Sequence, residues 1–488
     1  MLHLDRKDLI VTHAWIGNER VKSTDARTFA VENPANGALI AEVVDCGAPE
    51  ARGATDAAHR AFASWRKLLA RERAAHLQAW LALVRKNQED LARLISLEEG
   101  KPLVESRAEV AYGAAYIEWF AEEAKRTYGD VIPETAPGRK IIVTKEPVGV
   151  AAAITPWNFP IAMLARKIAP ALAAGCTIVA KPAEDTPLSA LALALLASEA
   201  GIPAGVINVV PASRGRAASV ANAWLEDERV RKFSFTGSTA VGKHLAEASA
   251  PTLKRLSLEL GGNAPFIVFE DADLDHAVKG MIAAKFRNAG QTCICANRIY
   301  VADAIYDDFA GRAVQAVSKL KVGSAGEGDA EIGPLINARA LEKVERHVGN
   351  AIEHGARVLV GGKRHALGRY FYEPTVLVEV DSRMIVSCEE TFGPVAPLFR
   401  FHAEEEVIAA ANATPFGLAA YFYSRDIARV MRVAAALESG MIGINEAAIS
   451  TEVAPFGGVK DSGYGREGSP YGIDEYLQTK YLCLGGLS

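Results

Sequence analysis

The stretch ELGGNAPFIVFEDADLDHAVKGMIAAKFRNAGQTCICANR, residues 259–298, places a carboxylate and a thiol 34 residues apart. Glu259 ends an apolar run and is followed by two glycines, and Cys293 follows the polar, glycine-containing segment NAGQT. A cysteine nucleophile and a carboxylate base together suffice for thioester chemistry. We therefore take Glu259 and Cys293 as a candidate catalytic pair.

Strands and helices alternate on both sides of this stretch. In the first series the strand-like runs VGVAAAIT, CTIVAKP, GVINVV and VRKFSFTG alternate with helical segments at 160–174, 187–200, 217–224 and 239–249. The second series, from 265 to about 445, joins FIVF, NRIYV, RVLVGG, TVLVEV, PVAPLFRF, LAAYFYS and GMIGIN to helical segments ending at 288 and at 303–320, 338–354, 404–412 and 427–437. Alternation at this spacing predicts two parallel sheets covered by helices.

The two ends of the chain follow other patterns. Residues 1–140 predict a short β-rich entry and amphipathic helices at 48–68, 71–99 and 104–128. GDVIPETAPGRK and the β-prone runs after it predict a hairpin that projects from the helices. The tail ends in a β-prone strand that has no partner nearby in sequence. We expect the hairpin and this unpaired strand to join copies of the chain into homodimers or homotetramers.

Composition excludes several classes of protein. The net charge of −5 comes without a basic block or a polybasic tail, so neither a nucleic acid nor a membrane surface is indicated as a partner. The first residues lack the apolar core of a signal peptide, and no apolar run is long enough to span a bilayer. Six cysteines without a CxxC pair, and no HExxH, argue against disulfides and zinc. We expect a metal-independent cytoplasmic enzyme.

Unusual residues follow three of the predicted parallel strands, where ligands of such sheets bind. The segment 237–244, GSTAVGKH, is similar to a nucleotide phosphate loop, but His244 stands where Ser or Thr would bind magnesium. A dinucleotide pyrophosphate would fit this strand, glycine turn and helix start without a metal. GYGREG, residues 463–468, fits a dinucleotide motif by letter, yet it follows no strand and opens no clear helix, so we predict a surface loop there.

Lys181 and Glu184 follow the second strand of the first series. They are either an exposed pair at a turn or ligands of an adenosine ribose. A carboxylate beside the ribose 2′ position would favour NAD over NADP, because it repels a 2′-phosphate. Arg214 and Arg216, after the next strand, could offset that repulsion.

Each candidate also has a structural interpretation. Cys293 could be a buried, inert thiol, and Glu259 a charge at a strand end. Residues 389–394, EETFGP, could be an acidic turn. Cys295 is either a spectator or the partner of Cys293 in a strained, easily reduced disulfide, which would act as a redox switch.

Six motifs in order, TPWNFP, FTGSTAVG, LELGGNAP, GQTC, EETFGP and PFGG, give the chain a resemblance to the aldehyde dehydrogenase superfamily. The resemblance runs from Asn33 to the C-terminus. It implies an α/β fold with two parallel-sheet domains and a small β oligomerisation extension. The implied ranges are 1–126 and 147–259 for the dinucleotide-binding domain, 127–146 and 470–488 for oligomerisation, and 260–469 for the catalytic domain.

The resemblance also implies a mechanism. The Cys293 thiolate attacks an aldehyde, the Asn158 side-chain amide and the Cys293 N–H hold the oxyanion, hydride passes to NAD or NADP, and Glu259 activates water to release the acid. Glu390 would bind the nicotinamide ribose and Phe392 would pack beside its ring. The cofactor-binding residues implied are Thr155, Trp157, Lys181, Glu184, Gly237, Ser238, Gly242, Glu390 and Phe392.

Within the superfamily the chain looks most like the succinate-semialdehyde dehydrogenases. KFRNAGQTCICANRIYV, STEVAPFGGVK and the tail GREGSPYGIDEYLQTKYLCLG carry this likeness. It implies that Arg166, Arg287 and Ser450 hold the distal carboxylate of a small aldehyde, and that Phe456 and Trp157 wall its tunnel. One departure is NEAAIS at 445–450, where NEGLIS is expected; Ala448 shrinks a pocket-loop side chain and leaves the chain length of the substrate open.

Three alternatives remain at this point. The first is a glutarate-semialdehyde or broader aldehyde dehydrogenase. The second is an inactive family member with a structural or binding role, against which the intact Cys293, Glu259, Asn158 and Lys181 argue. The third is a thioesterase or acyltransferase that uses the same Cys–Glu pair without a need for ribose-binding residues.

Overall fold

The computed structural model describes residues 2–326 and 328–486. Each predicted range contains residues that lie outside the described ones: residue 1 in the dinucleotide-binding range, residue 327 in the catalytic range and residues 487–488 in the oligomerisation range.

The entry segment combines small strands with four helices. Its elements are β1 (Ala14–Ile16), β2 (Glu19–Val21), β3 (Thr28–Glu32), β4 (Leu39–Val44), α1 (Ala48–Trp65), α2 (Ala70–Lys86), α3 (Gln88–Glu98), α4 (Leu103–Glu123), β5 (Asp130–Ile132) and β6 (Lys140–Pro147). The single helix predicted at 71–99 is wrong. Asn87 has non-helical angles and its side chain donates to the carbonyl of Leu83, a local bond that competes with the helix.

The first alternating series follows the hairpin. Its elements are β7 (Val150–Ile154), α5 (Pro160–Ala174), β8 (Thr177–Lys181), α6 (Pro187–Glu199), β9 (Ile207–Val209), α7 (Ala217–Glu226), β10 (Val230–Thr236), α8 (Thr239–Ser249) and β11 (Arg255–Glu259). Every residue of α5 and β8 is buried, so these elements form the centre of this half of the molecule.

The second series and the tail complete the chain. The second series is β12 (Ala264–Val268), α9 (Leu274–Phe286), β13 (Ala296–Ala302), α10 (Tyr306–Val317), α11 (Ala338–Glu353), β14 (Arg357–Val360), β15 (Thr375–Val378), β16 (Val395–Phe401), α12 (Glu404–Asn412), β17 (Phe416–Gly417), β18 (Ala419–Tyr423), α13 (Ile427–Ala436) and β19 (Met441–Ile444). The tail adds β20 (Val459–Lys460), β21 (Gly463–Tyr464), α14 (Ser469–Asp474) and β22 (Leu477–Leu484).

Two main sheets organise these elements. The first has the order β2-β1-β9-β8-β7-β10-β11-β21, and β7 to β11 run parallel within it. The second has the order β14-β15-β16-β13-β12-β18-β19 and is parallel except for the pair β14 and β15. The predicted α/β class with two parallel-sheet units is thereby confirmed. The domain ranges given above stay a prediction.

The tail departs from two expectations. Residues 463–468 are not a surface loop: β21 pairs with β11, with Gly463 opposite Glu259, and Glu467 is buried. The final strand is not unpaired either, because β22 pairs with β6 in the same chain from Leu477 opposite Pro147 to Leu484 opposite Lys140. Both partners are distant in sequence, so no local pattern indicated them. Among the helices of the described ranges, none combines the length and the apolar character that a bilayer crossing requires.

Candidate active site

A cavity of about 440 Å³ lies where the carboxyl ends of β7, β8 and β10 face the loops of the second series. Most residues predicted for catalysis or binding line it: Trp157, Asn158, Arg166, Glu184, Gly237, Ser238, Arg287, Cys293, Glu390, Phe392, Ser450 and Phe456. Five predicted residues are not among its lining residues: Thr155, Lys181, Gly242, Glu259 and Cys295. The structure thus brings together segments that are more than 250 residues apart in sequence.

The loop before the cysteine has a strained backbone. The helix predicted to end at Asn288 ends at Phe286, and residues 287–290 form a 3-10 turn in which Asn288 (φ 51°) and Ala289 (φ 53°) are left-handed. Such angles cost free energy in residues other than glycine and persist only where the surroundings enforce them. Here the N–H of Asn288 donates to the Glu105 carboxylate at 3.0 Å. This turn lifts Arg287 off the helix surface and into the cavity wall.

Gly262 lets the cysteine loop approach the end of β11. A Cβ at this position would lie 2.4 Å from the carbonyl oxygen of Cys293, closer than any side chain tolerates. Cys293 itself is half-buried, whereas Cys295 is buried and accepts a hydrogen bond from the Thr292 hydroxyl at 2.8 Å. Both cysteines are free thiols.

The thiol of Cys293 is held in its neutral form. Burial raises its pKa to about 12, although the positive charge of Arg166 acts in the opposite direction. Nucleophilic attack needs the thiolate, so a base or a change of environment must remove this proton.

Asn158 lies beside the cysteine loop and is anchored through its backbone. Its carbonyl oxygen accepts hydrogen bonds from the Lys101 ammonium at 2.6 Å and from the Asn288 amide at 3.1 Å. Its side-chain nitrogen donates to the carbonyl of Gln291 at 2.9 Å. A primary amide has two N–H hydrogens, and one is therefore free to point at an oxyanion.

Glu259 ends β11 behind the cavity wall. The side chain is buried, and neither carboxylate oxygen has a hydrogen-bond partner among the described residues. Burial and the nearby carboxylate of Glu467 raise its pKa well above the ordinary value, against the pull of the Arg166 and Lys167 charges. A buried carboxyl group with a raised pKa accepts a proton more readily than an exposed one, which suits a general base.

The start of α8 is the helix N-terminus available to a phosphate. The N-terminus of α5 is occupied by the Glu109 carboxylate, which accepts from the N–H of Ile161, and that of α6 by Glu98, which accepts from Leu188 and Ser189. The side chain of Ser238 makes no capping bond at α8, and this residue lines the cavity with Gly237. An anionic pyrophosphate therefore fits here and not at the other two helices.

Other residues suited to a dinucleotide flank this helix. Lys181 is buried and its ammonium lies 3.9 Å from the Glu184 carboxylate, which faces the cavity. On the opposite side Glu390 accepts a hydrogen bond from the N–H of Gly262 at 3.2 Å, and burial raises its pKa to about 7. The rings of Trp157 and Phe392 meet edge to face with centroids 5.6 Å apart. Within the described ranges, no cluster of three or more His, Cys, Asp or Glu side chains is arranged to hold a metal ion.

Two arginines predicted from the sequence, Arg166 and Arg287, line the cavity. The Arg287 guanidinium lies over the Phe159 ring, 4.8 Å from its centroid, and has no hydrogen-bonded or ion-paired carboxylate among the described residues. Arg166 is fully buried, lies 4.5 Å from the Phe456 ring centroid and forms an ion pair with Glu467. Ser450 lines the same wall.

Sequence reasoning missed several residues of this site. Glu467 lies within a stretch predicted as a surface loop, and the helix pattern gave no sign that Tyr112 and Met163 face the cavity. Lys343 and Arg339 on α11 also line it. Of the two arginines named from the sequence as possible partners of a 2′-phosphate, Arg214 lines the cavity, whereas Arg216 does not line it and pairs with Asp25.

Comparison with known proteins agrees with this geometry. The model of the Aldehyde dehydrogenase family matches residues 21–482. The chain is 58% identical to 3-sulfolactaldehyde dehydrogenase of Pseudomonas putida over 100% of both chains. It is 57% identical to succinate-semialdehyde dehydrogenase [NADP(+)] of Escherichia coli, with 99% of this chain and 100% of the relative covered. Glutarate-semialdehyde dehydrogenase of Pseudomonas aeruginosa is 56% identical, with 99% of each chain covered.

A solved structure extends the comparison. The crystal structure of an Escherichia coli NADP dependent enzyme superposes with a TM-score of 0.98 at 56% identity and covers 99% of this chain and 100% of its own.

Proposed function

Because the chain belongs to the aldehyde dehydrogenase family, we propose that it oxidises a short aldehyde with a terminal anion, succinate semialdehyde first, using NAD or NADP. The observation that carries the substrate proposal is Arg287. Its guanidinium lines the cavity and makes no hydrogen bond or ion pair with a carboxylate of the described protein, so it is available to pair with an anionic ligand. Relatives named for succinate semialdehyde, glutarate semialdehyde and 3-sulfolactaldehyde, all anionic aldehydes, support it.

The proposed chemistry divides between three side chains. The Cys293 thiol gives up its proton to a base or to water and adds to the aldehyde carbon as the thiolate, and the free N–H of Asn158 with the backbone N–H of Cys293 holds the resulting oxyanion. When bound, NAD or NADP supplies the hydride acceptor. Glu259 then removes a proton from the water that hydrolyses the thioester, and Cys293 is released as a thiol.

The same proposal assigns the cofactor contacts. Gly237, Ser238 and the close packing at Gly242 present the start of α8 to the pyrophosphate. Lys181 and Glu184 would bind the adenosine ribose, with Thr155 behind them holding the strand end through its N–H to the Lys181 carbonyl at 3.2 Å. Glu390, Phe392 and Trp157 would enclose the nicotinamide half.

The candidate substrates are related aldehydes that differ in chain length or in the terminal anion. Glutarate semialdehyde is one methylene longer than succinate semialdehyde, and 3-sulfolactaldehyde carries a sulfonate in place of the carboxylate. The 58% identity to a relative named 3-sulfolactaldehyde dehydrogenase is the observation that favours 3-sulfolactaldehyde as a second candidate substrate. Ala448 is exposed in the loop before Ser450 and is not among the residues that line the cavity, so its small side chain does not by itself select a chain length.

We also propose that the protein is a homo-oligomer in the cytoplasm. The sheet of β22, β6 and β5 exposes Val131 (79%), Tyr481 (60%) and Leu482 (39%), which a second copy would cover. All six cysteines are free, as is typical of a reducing compartment. Sedimentation of the wild type and of Val131→Lys tests the oligomer; an unchanged mass in the variant would contradict this interface.

A steady-state panel tests the function. Succinate semialdehyde, glutarate semialdehyde, 3-sulfolactaldehyde and butanal are each assayed with NAD and with NADP under reducing conditions. We expect kcat/KM for at least one anionic aldehyde to exceed that for butanal by a factor of about 100 or more, the strength of a buried charge-assisted pair. Equal values for butanal and the anionic aldehydes would overturn the proposed substrate class.

A further inference from the structure

Tyr112 is a cavity residue to which no role has been given above. It lies on α4, which packs against α5, and it lines the cavity together with Arg166 and Ser450. Its ring meets that of Tyr116, one helical turn on, at a centroid distance of 5.0 Å and an angle of 68°. This edge-to-face contact fixes the position of the Tyr112 ring.

The two hydroxyl groups share a single hydrogen bond of 2.8 Å. Tyr116 is fully buried, and the Tyr112 oxygen is its only hydrogen-bond partner in the described chain. If Tyr112 donated, the Tyr116 proton would be enclosed without an acceptor, which is unfavourable for a buried polar group. The arrangement in which the Tyr116 hydroxyl donates and the Tyr112 oxygen accepts therefore has the lower free energy.

This arrangement leaves the proton of Tyr112 free. A phenol has one O–H donor, and Tyr112 does not use it within the described protein. The side chain is only half-buried, since it faces the cavity. Arg166, which also lines the cavity, pairs through its Nε with the Glu467 carboxylate, and its two terminal nitrogens have no hydrogen-bond partner in the described protein. An anion that entered here would find the unused O–H donor of Tyr112 beside the positive charge of Arg166, which Glu467 compensates in part.

We propose that Tyr112 donates a hydrogen bond to the distal anion of the substrate, and that Tyr116 orients the Tyr112 hydroxyl for this purpose. Tyr112 is then a specificity-determining residue beside Arg287 and Ser450. It distinguishes an aldehyde with a terminal carboxylate or sulfonate from a neutral aldehyde of equal length. This inference rests on the proposed function, because it needs an anionic substrate.

The test compares Tyr112→Phe, Tyr116→Phe and the double variant with the wild type, using succinate semialdehyde and butanal. We expect Tyr112→Phe to lower kcat/KM for succinate semialdehyde by about 10-fold or more, through KM, and to leave butanal unchanged. The double variant, in which no hydroxyl is left unpaired, should show the same loss. Tyr116→Phe should cause a smaller loss of about 3-fold, because the Tyr112 proton remains free but its hydroxyl is no longer oriented by Tyr116; an unchanged KM in Tyr116→Phe would remove the orienting role.

The outcomes separate the two proposals. A wild type without preference for succinate semialdehyde over butanal contradicts the proposed function itself. A wild type with that preference, combined with an unchanged KM in Tyr112→Phe, overturns only the role of Tyr112. An equal loss of kcat/KM for succinate semialdehyde and butanal in Tyr112→Phe would also overturn the role of Tyr112, because it indicates a structural role. Succinate as a competitive inhibitor gives a second readout, and its Ki should rise with the KM.

Discussion

The ammonium group of Lys101 donates a hydrogen bond of 2.6 Å to the carbonyl oxygen of Asn158. The same ammonium contacts the Glu109 carboxylate at 2.7 Å, and all three side chains are buried. Glu109 in turn accepts the N–H of Ile161 at the start of α5. One buried ion pair therefore fixes both the candidate oxyanion donor and the first turn of the helix that carries Arg166.

Lys101→Met should destabilise the protein by roughly 3–5 kcal/mol, because it leaves the Glu109 carboxylate buried without its counter-ion. Lys321→Met is the matched control, since Lys321 pairs with Asp329 at an exposed site and its loss should leave the stability nearly unchanged. Thermal unfolding of both variants at one protein concentration measures the difference. Equal melting temperatures for the two variants would contradict a structural role for the buried pair.

Cys293→Ala should abolish turnover of every aldehyde, because no other thiol of the described residues lines the cavity. Cys295→Ala should keep most of the activity, since this sulfur is buried behind Thr292. If Cys293 and Cys295 form a redox switch, peroxide should inactivate the wild type, and dithiothreitol should restore its activity. In Cys295→Ala the same treatment should cause a loss that dithiothreitol does not restore. Equal recovery in both proteins would leave Cys295 a spectator.

Glu259→Gln should slow hydrolysis of the acyl-enzyme far more than the first burst of NADH or NADPH. Because the pKa of Glu259 is raised, the deprotonated base, and with it the rate of hydrolysis, should grow as the pH rises through that value. Glu467→Gln removes one of the charges that raise this pKa and should move the acid limb to lower pH. Stopped-flow burst and steady-state rates across pH measure both effects. Equal losses of burst and turnover in Glu259→Gln would count against a base.

The sequence predicted the residues of the site better than it predicted the residues that hold them in place. Strand–helix alternation and the residues after each strand located Asn158, Glu184 and Cys293, because periodicity and motifs are local properties. Glu467 escaped detection, since its importance arises from β21 pairing with β11 about 200 residues earlier. The left-handed turn before Cys293 was equally invisible, because its strain is maintained by Glu105 on a distant helix. Burial, which shifts the pKa of Glu259 and Cys293, is likewise a property of the whole fold.

Glu184→Ser should increase kcat/KM with NADP by about 10-fold or more. The substitution removes a carboxylate that repels a 2′-phosphate, and the guanidinium of Arg214 lines the same part of the cavity. The kcat/KM with NAD should fall, because the ribose hydroxyl loses its charged carboxylate acceptor. Arg214→Ala is the control and should weaken NADP more than NAD. A Glu184→Ser protein with an unchanged NADP to NAD ratio would remove Glu184 from the selection of cofactor.

Arg287→Met should raise KM for succinate semialdehyde by about 100-fold while changing KM for butanal by less than about 3-fold, the difference being one charge-assisted bidentate pair. Methionine keeps an unbranched apolar side chain against the Phe159 ring, so the loss of charge is separated from the loss of packing. Arg166→Met is the comparison variant, because it removes a guanidinium that is paired within the protein. It leaves the Glu467 carboxylate without one of its two cations, so we expect lower stability and slower turnover of both aldehydes. If Arg287→Met affected both aldehydes equally, Arg287 would be a structural cation and the anion would bind elsewhere in the cavity.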